Sequence, residues 1–129
     1  MMTRRTVQKI NIKKMTKTEI AKAFSNGTFK KTYDYISDNA VWTIIGENSF
    51  TGKQAIIDNC EQVNSYFNSV TTVFKTQNII ADGKKVVING TAEFLRDNIR
   101  ISFVSACDIY EFNDINQIQK ITSYCIQAK

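Results

Sequence analysis

From Ser37 to Ile57 the chain runs through turn, apolar strand, glycine loop and capped helix without a break, and few architectures accept that order over so short a span. Asp38-Asn39 supplies turn chemistry, Ala40 to Ile45 is an apolar run rich in β-formers, and Gly46-Glu47-Asn48-Ser49 is the loop. Thr51 followed by Gln54 has the spacing of a capping box, with Phe50 and Ala55 placed to staple it. A helix is therefore expected to start at Gly52 or Lys53.

The remaining elements follow from the same signals. Thr16 and Glu19 form another capping box, opening a short helix in which Ile20, Ala23 and Phe24 share a face; Asn26-Gly27 stops it. Thr28 is the expected N-cap of a second short helix, with Phe29, Tyr33 and Ile36 as its apolar stripe. The main helix runs from Lys53 to about Asn68 and carries Ile56, Cys60, Val63 and Phe67 at helical spacing. Strands are expected over Thr71 to Ala81, Lys85 to Leu95, Ile99 to Phe112 and Ile118 to Gln127. Turns at Asp82-Gly83, Asp97-Asn98 and Asn113 to Asn116 separate them. The order ααβαββββ reads as an α+β domain, its helices on one face of a curved antiparallel sheet.

At 129 residues one domain is expected, over 16–129, behind a basic, flexible N-terminal arm over 1–15. No apolar run approaches a membrane span, and no apolar segment of signal-peptide type follows the basic N-terminus, so a cytoplasmic protein is expected. Cys60, Cys107 and Cys125 are odd in number and widely spaced among apolar neighbours, which suits reduced, buried thiols better than a disulfide framework. The absence of histidine removes the usual zinc sites, Ser-His-Asp triads and Cys-His dyads, so no metal or cofactor is expected.

The net charge of +5 invites a nucleic-acid reading, but its distribution does not support a basic domain. Arg4, Arg5, Lys9, Lys13, Lys14 and Lys17 all precede the first acid, Glu19, and beyond them acids and bases nearly balance. Such an arm suits phosphate or an acidic partner. A solvated tail fits better, because no aromatic residue lies between those charges to stack on bases.

SDNAVW followed by a glycine loop and TGKQAI, then DIYEFND and INQIQKITSYC near the end, resembles the nuclear transport factor two-like superfamily, especially its SnoaL-like and ketosteroid-isomerase-like branches. The resemblance spans roughly Thr16 to Gln127. It implies a cone, a bent sheet wrapped around the long helix with a pocket inside, and often a homodimer through the outer sheet face. Its members include isomerases, cyclases, dehydratases, hydrolases and non-catalytic binders, so fold alone does not choose a function.

Pleat geometry bears on which face is the pocket. With Asp97-Asn98 as a two-residue loop, Arg96 pairs with Ile99, Glu93 with Ser102, Thr91 with Val104, Asn89 with Ala106 and Val87 with Asp108. The opposite face, with Phe94, Ile101, Phe103 and Ile109, is almost wholly apolar. Either that apolar face is core and the mixed face is wet, or the mixed face lines a pocket and a second subunit covers the apolar one. The resemblance favours the pocket, and a slip of one residue would reverse the assignment.

By the resemblance, Asp108 stands where the isomerase-like branch holds a carboxylic acid that donates a hydrogen bond to a substrate oxygen. Apolar neighbours such as Ala106 would keep it protonated; an ionised aspartate bonded to backbone or a hydroxyl is the competing reading. The branch's proton-abstracting carboxylate falls at Ile44 and its helix-borne tyrosine at Ile20, neither able to exchange a proton, which disfavours steroid isomerisation by that mechanism. Glu93 is a substitute base only in the register above, and a rim salt bridge to Arg100 competes with that role. By the resemblance Trp42, Ile44, Cys60, Phe67 and Cys125 converge on the pocket, with Tyr110 beside them; their periodicity fits ordinary core packing equally well.

Two functions stay open. One is a pocket protein that binds a small, largely apolar ligand. The other is a metal-independent isomerase, cyclase or dehydratase with Asp108 as acid or hydrogen-bond donor.

Overall fold

The computed structural model describes residues 14–128. The expected arm therefore lies almost wholly outside the described residues. Helix α1 is Lys17–Ser25, and its start is the expected capping box: Glu19 N donates to Thr16 Oγ1 at 3.2 Å while Thr16 N donates to Glu19 Oε1 at 2.8 Å. It ends on Gly27, whose φ of +79° lets the Thr28 N–H turn back to the carbonyl of Ala23. The second helix is a 3-10 helix, Phe29–Tyr35. Its tighter winding buries Phe29 and Thr32, three apart; of the expected stripe Phe29 and Ile36 are buried and Tyr33 is half-buried, but Ile36 already begins a strand. Thr28 holds the cap position without a side-chain cap bond.

Strand β1 is Ile36–Ile44, and a short strand β2, Asn48–Thr51, pairs antiparallel with it. The sequence reading placed these residues in a loop and in a helix cap. Thr51 is instead paired with Val41, so Gly52 becomes the N-cap of helix α2, Lys53–Ser69, without a side-chain cap bond, and Gln54 donates to Asp58 instead. The turn chemistry of Asp38-Asn39 appears within β1 as an exposed irregularity, where the register against the last strand shifts between Ile36 and Val41. Strands β3 (Thr71–Asp82), β4 (Lys85–Arg96), β5 (Ile99–Phe112) and β6 (Ile118–Gln127) follow at nearly the expected bounds.

The six strands lie in the order β2-β1-β6-β5-β4-β3. The expected antiparallel sheet needs one correction: β1 and β6 are parallel, because the chain leaves β1 through β2, α2 and three further strands before it returns beside it. The fold is therefore α+β with a curved mixed sheet of six strands, and α1 and α2 cover its inner face. The core joins Ile20, Phe24, Ile56 and Cys60 from the helices to Ile88, Tyr110 and Ile121 from the sheet. No helix among the described residues is long and apolar enough to cross a membrane.

The turn between β4 and β5 is as expected: Asp97 and Asn98 both have positive φ, 53° and 64°, and Arg96 pairs with Ile99. Two residues further on the expected register fails. A bulge between the Leu95–Arg100 and Phe94–Ser102 pairs takes up Ile101, so Ile88, not Val87, lies opposite Asp108, and Gly90, not Asn89, lies opposite Ala106. From Phe94 back to Val86 the inner and outer faces of β4 are thus exchanged relative to the expectation. The β5 assignments stand.

Candidate active site

Between α1, α2 and the inner sheet face lies a cavity of about 280 Å³. Six rings wall it: Phe24, Phe29, Trp42, Phe67, Phe74 and Phe94. They pack mostly edge to face, as in Phe24–Trp42 with centroids 5.0 Å apart and Phe67–Phe74 at 5.3 Å, the arrangement that ring quadrupoles prefer. Two glycines make this packing possible. A Cβ on Gly27 would come within 2.9 Å of the Phe67 ring, and one on Gly90 would lie 2.3 Å from the Lys75 carbonyl oxygen, where β3 and β4 close up beside a bulge.

One end of this apolar chamber is polar. Asp108 projects from β5, and its Oδ2 accepts a 2.7 Å hydrogen bond from Ser25 Oγ at the end of α1. Ser123 on β6 hydrogen-bonds to the same carboxyl, and its Oγ also accepts from Trp42 Nε1 at 3.0 Å. Ser25 Oγ lies 2.7 Å from the Tyr110 hydroxyl. Burial pushes the Asp108 carboxyl above its ordinary value, and the bonds from Ser123 and Ser25 only partly offset it. It is the one carboxyl among the described residues lining the cavity.

The structure brings together Trp42, Ile44, Phe67, Thr91, Ala106, Asp108 and Cys125 of the residues expected in the pocket, and separates four others from it. Cys60 and Tyr110 are fully buried in the core alongside the cavity rather than lining it. Asn89 and Glu93 are on the outer face, moved there by the Ile101 bulge; Asn89 bonds to Asn78, and Glu93 pairs with Arg100, Nε to Oε2 at 2.6 Å. Glu93 is thus no substitute base for this cavity.

Ser25, Ile88, Phe74 and Phe94 are among the lining residues that were not expected there. Phe94 and Ile88 were lost to the register. The alternation of Thr72, Phe74 and Thr76 offered a signal for Phe74, whereas Ser25 offered only its place one turn beyond buried Ala21.

Among the described residues lining the cavity, no second carboxyl accompanies Asp108. Ile44, the position that the resemblance gave to a base, lines the cavity, and Ile20 is core. Of the three thiols expected to be buried only Cys60 is; Cys107 is half-buried and Cys125 exposed at the cavity's edge. Desolvation still holds the Cys125 thiol up at about 11 and Cys60 at about 12, so both stay protonated near neutral pH.

The family model for the SnoaL-like domain matches residues 18–121. Among solved structures the chain is similar to an NTF2-like protein of unknown function from Cytophaga hutchinsonii, at 36% identity over 83% of this chain and 93% of that one, with a TM-score of 0.75. It shares its fold with an LEH-like epoxide hydrolase from M. tuberculosis (19% identity, 85% and 82% covered, TM-score 0.65). It also shares it with a protein designated a SnoaL-like polyketide cyclase from Jannaschia sp. CCS1 (10% identity, 84% of each chain covered, TM-score 0.67). No curated protein matched.

Proposed function

The chain belongs to the SnoaL-like domain family, and on that basis we propose that it binds a small, largely apolar molecule carrying one hydrogen-bond-accepting oxygen. A single observation carries this reading: one carboxyl, raised in pKa by burial, stands at the end of a chamber lined mainly by apolar side chains, six of them aromatic. A protonated acid in such a place donates to a carbonyl or ether oxygen, and the rings take up the apolar remainder. Binding is preferred over isomerase, cyclase or dehydratase chemistry because Ile44 stands where that chemistry would want a base. The pocket residues in this reading are Trp42, Ile44, Phe67, Thr91, Ala106, Asp108 and Cys125.

The test is an NMR titration of the Asp108 carboxyl carbon, followed by binding of acetophenone and of 1-phenylethylamine, its cationic counterpart. The ketone should bind while Asp108 is protonated and weaken as pH rises through its midpoint. A midpoint below the ordinary ~3.9, or an amine that binds in preference to the ketone, overturns the reading.

The outer sheet face supports a second element, a homodimer. Ile101 and Ile126 are exposed beside half-buried Phe103 and Ile109, an apolar surface that a second copy would cover. Phe94, expected in that ladder, belongs to the cavity instead.

A further inference from the structure

Tyr110 is fully buried, the largest side chain of the core to be so, and it lies two residues from Asp108 on the same face of β5. Its hydroxyl does not line the cavity. Among the described residues its side-chain partner is Ser25 Oγ, 2.7 Å away, and that same Oγ lies 2.7 Å from Asp108 Oδ2. A serine hydroxyl has one hydrogen to give. That hydrogen goes to Asp108 Oδ2, so in the contact between Ser25 and Tyr110 the phenol is the donor and a Ser25 lone pair the acceptor. The order therefore runs from Tyr110 to Ser25 to Asp108.

The second branch has the same polarity by necessity. The indole N–H can only donate, so Trp42 Nε1, 3.0 Å from Ser123 Oγ, leaves the Ser123 hydrogen free for Asp108. Two relays therefore start from fixed donors and end on one carboxyl.

We propose that Tyr110 and Trp42 are positioning residues for Asp108: through Ser25 and Ser123 they aim both serine hydrogens at its carboxyl and so confine the acid proton to the lone pair open to the cavity. This rests on the reading of Asp108 as the acid that meets the ligand. It also sharpens the ligand class. With two donors already satisfied at the carboxyl, the hydrogen left to offer selects an acceptor such as a ketone oxygen over a hydroxyl or amine of the same shape.

Tyr110→Phe removes one oxygen and keeps the ring. Its loss weakens the donor chain that supports the ionised carboxyl, so the Asp108 midpoint in the carboxyl titration should rise by roughly 0.2–0.6 pH unit. Acetophenone should bind several-fold more weakly to the protonated form, because Ser25, relieved of its Tyr110 donor, accepts the acid proton more readily and turns it from the cavity. The groups coupled to Asp108 are the Tyr110 phenol and the Cys107 and Cys125 thiols, all held above their ordinary values, so none titrates in the acid range.

In a Ser25→Ala background, Tyr110→Phe should move the midpoint no further. An equal shift in both backgrounds, or a folded Tyr110→Phe with wild-type midpoint and ketone affinity, overturns the relay. Should Tyr110→Phe not fold, the Tyr110 hydroxyl proton of the wild type decides: it should lie against Ser25 and shift as Asp108 titrates. A hydroxyl proton that does neither ends the proposal. The wild-type midpoint by itself tests the ligand-acid reading, and the difference between the proteins tests the relay, so the two fail separately.

Discussion

Asp108 and Glu93 stand on neighbouring strands and are both half-buried, yet they belong to different chemical worlds. Asp108 meets two hydroxyls at one end of a cavity that six rings help to wall, and its pKa is raised by burial. Glu93 faces outward to the guanidinium of Arg100, which itself lies 4.7 Å over the Phe103 ring. The difference comes from one extra residue. Without the bulge at Ile101, the pleat would put Glu93 and Asp108 on the same face. A single inserted residue thus separates a cavity that carries one acid from a cavity that would carry two, and with it a donor site from a potential acid–base pair.

The inner face depends on close approach, and the largest effect is expected there. Gly90→Ala would put a Cβ 2.3 Å from the Lys75 carbonyl oxygen, a backbone atom that cannot swing aside. The expected cost is on the order of 3 kcal/mol, read as a lower denaturation midpoint, with acetophenone binding lost as β3 is pushed outward. Unchanged stability would mean that β3 and β4 are looser than the cavity requires.

On the outer face the corresponding change is Phe103→Glu. It should turn a dimer into a folded monomer, measured by sedimentation or light scattering. A wild type that is already monomeric ends the dimer proposal, and a Phe103→Glu that unfolds would show the outer face to be core.

Much of this contrast was legible in the sequence, and the rest was hidden for definable reasons. Thr16 with Glu19, the Asp97-Asn98 turn and the stripe of the long helix are local signals, and each fixed its element because nothing distant competes with it. Thr51 carried an equally good local signal and lost to a tertiary one, since pairing with Val41 was worth more than a cap. The parallel pairing of β1 with β6 and the bulge at Ile101 have no local signature, and those two features decide which strands meet and which residues of β4 face the cavity. For the site, family position placed Asp108, while its partners Ser25 and Tyr110 required a contact between α1 and β5 more than 80 residues apart in sequence.

The third prediction tests the inner acid by its pH dependence. The folded carboxyl holds its proton to higher pH than the unfolded chain, so between the two values the native state binds more protons. Its contribution to stability is full below the unfolded value and is lost as pH rises through the folded one. Asp108→Asn carries no such titration. Its stability should change less than that of the wild type as pH is raised from about 3.5, and its amide N–H should retain acetophenone binding with the pH dependence removed. Parallel stability profiles for the two proteins would mean that Asp108 is not shifted by burial.

The smallest effect belongs to the outer acid. The Glu93–Arg100 pair is short, but Arg100 is 56% exposed and Glu93 27%, so solvent screens the attraction and each side chain loses rotamer freedom in holding it. Glu93→Gln should cost no more than about 0.5 kcal/mol and leave acetophenone affinity and the Asp108 midpoint at wild-type values, because Glu93 does not line the cavity. A shift in that midpoint would place Glu93 in electrical contact with Asp108 through the sheet. It would also mean that the separation created by the Ile101 bulge is incomplete, returning the two carboxyls to one coupled site.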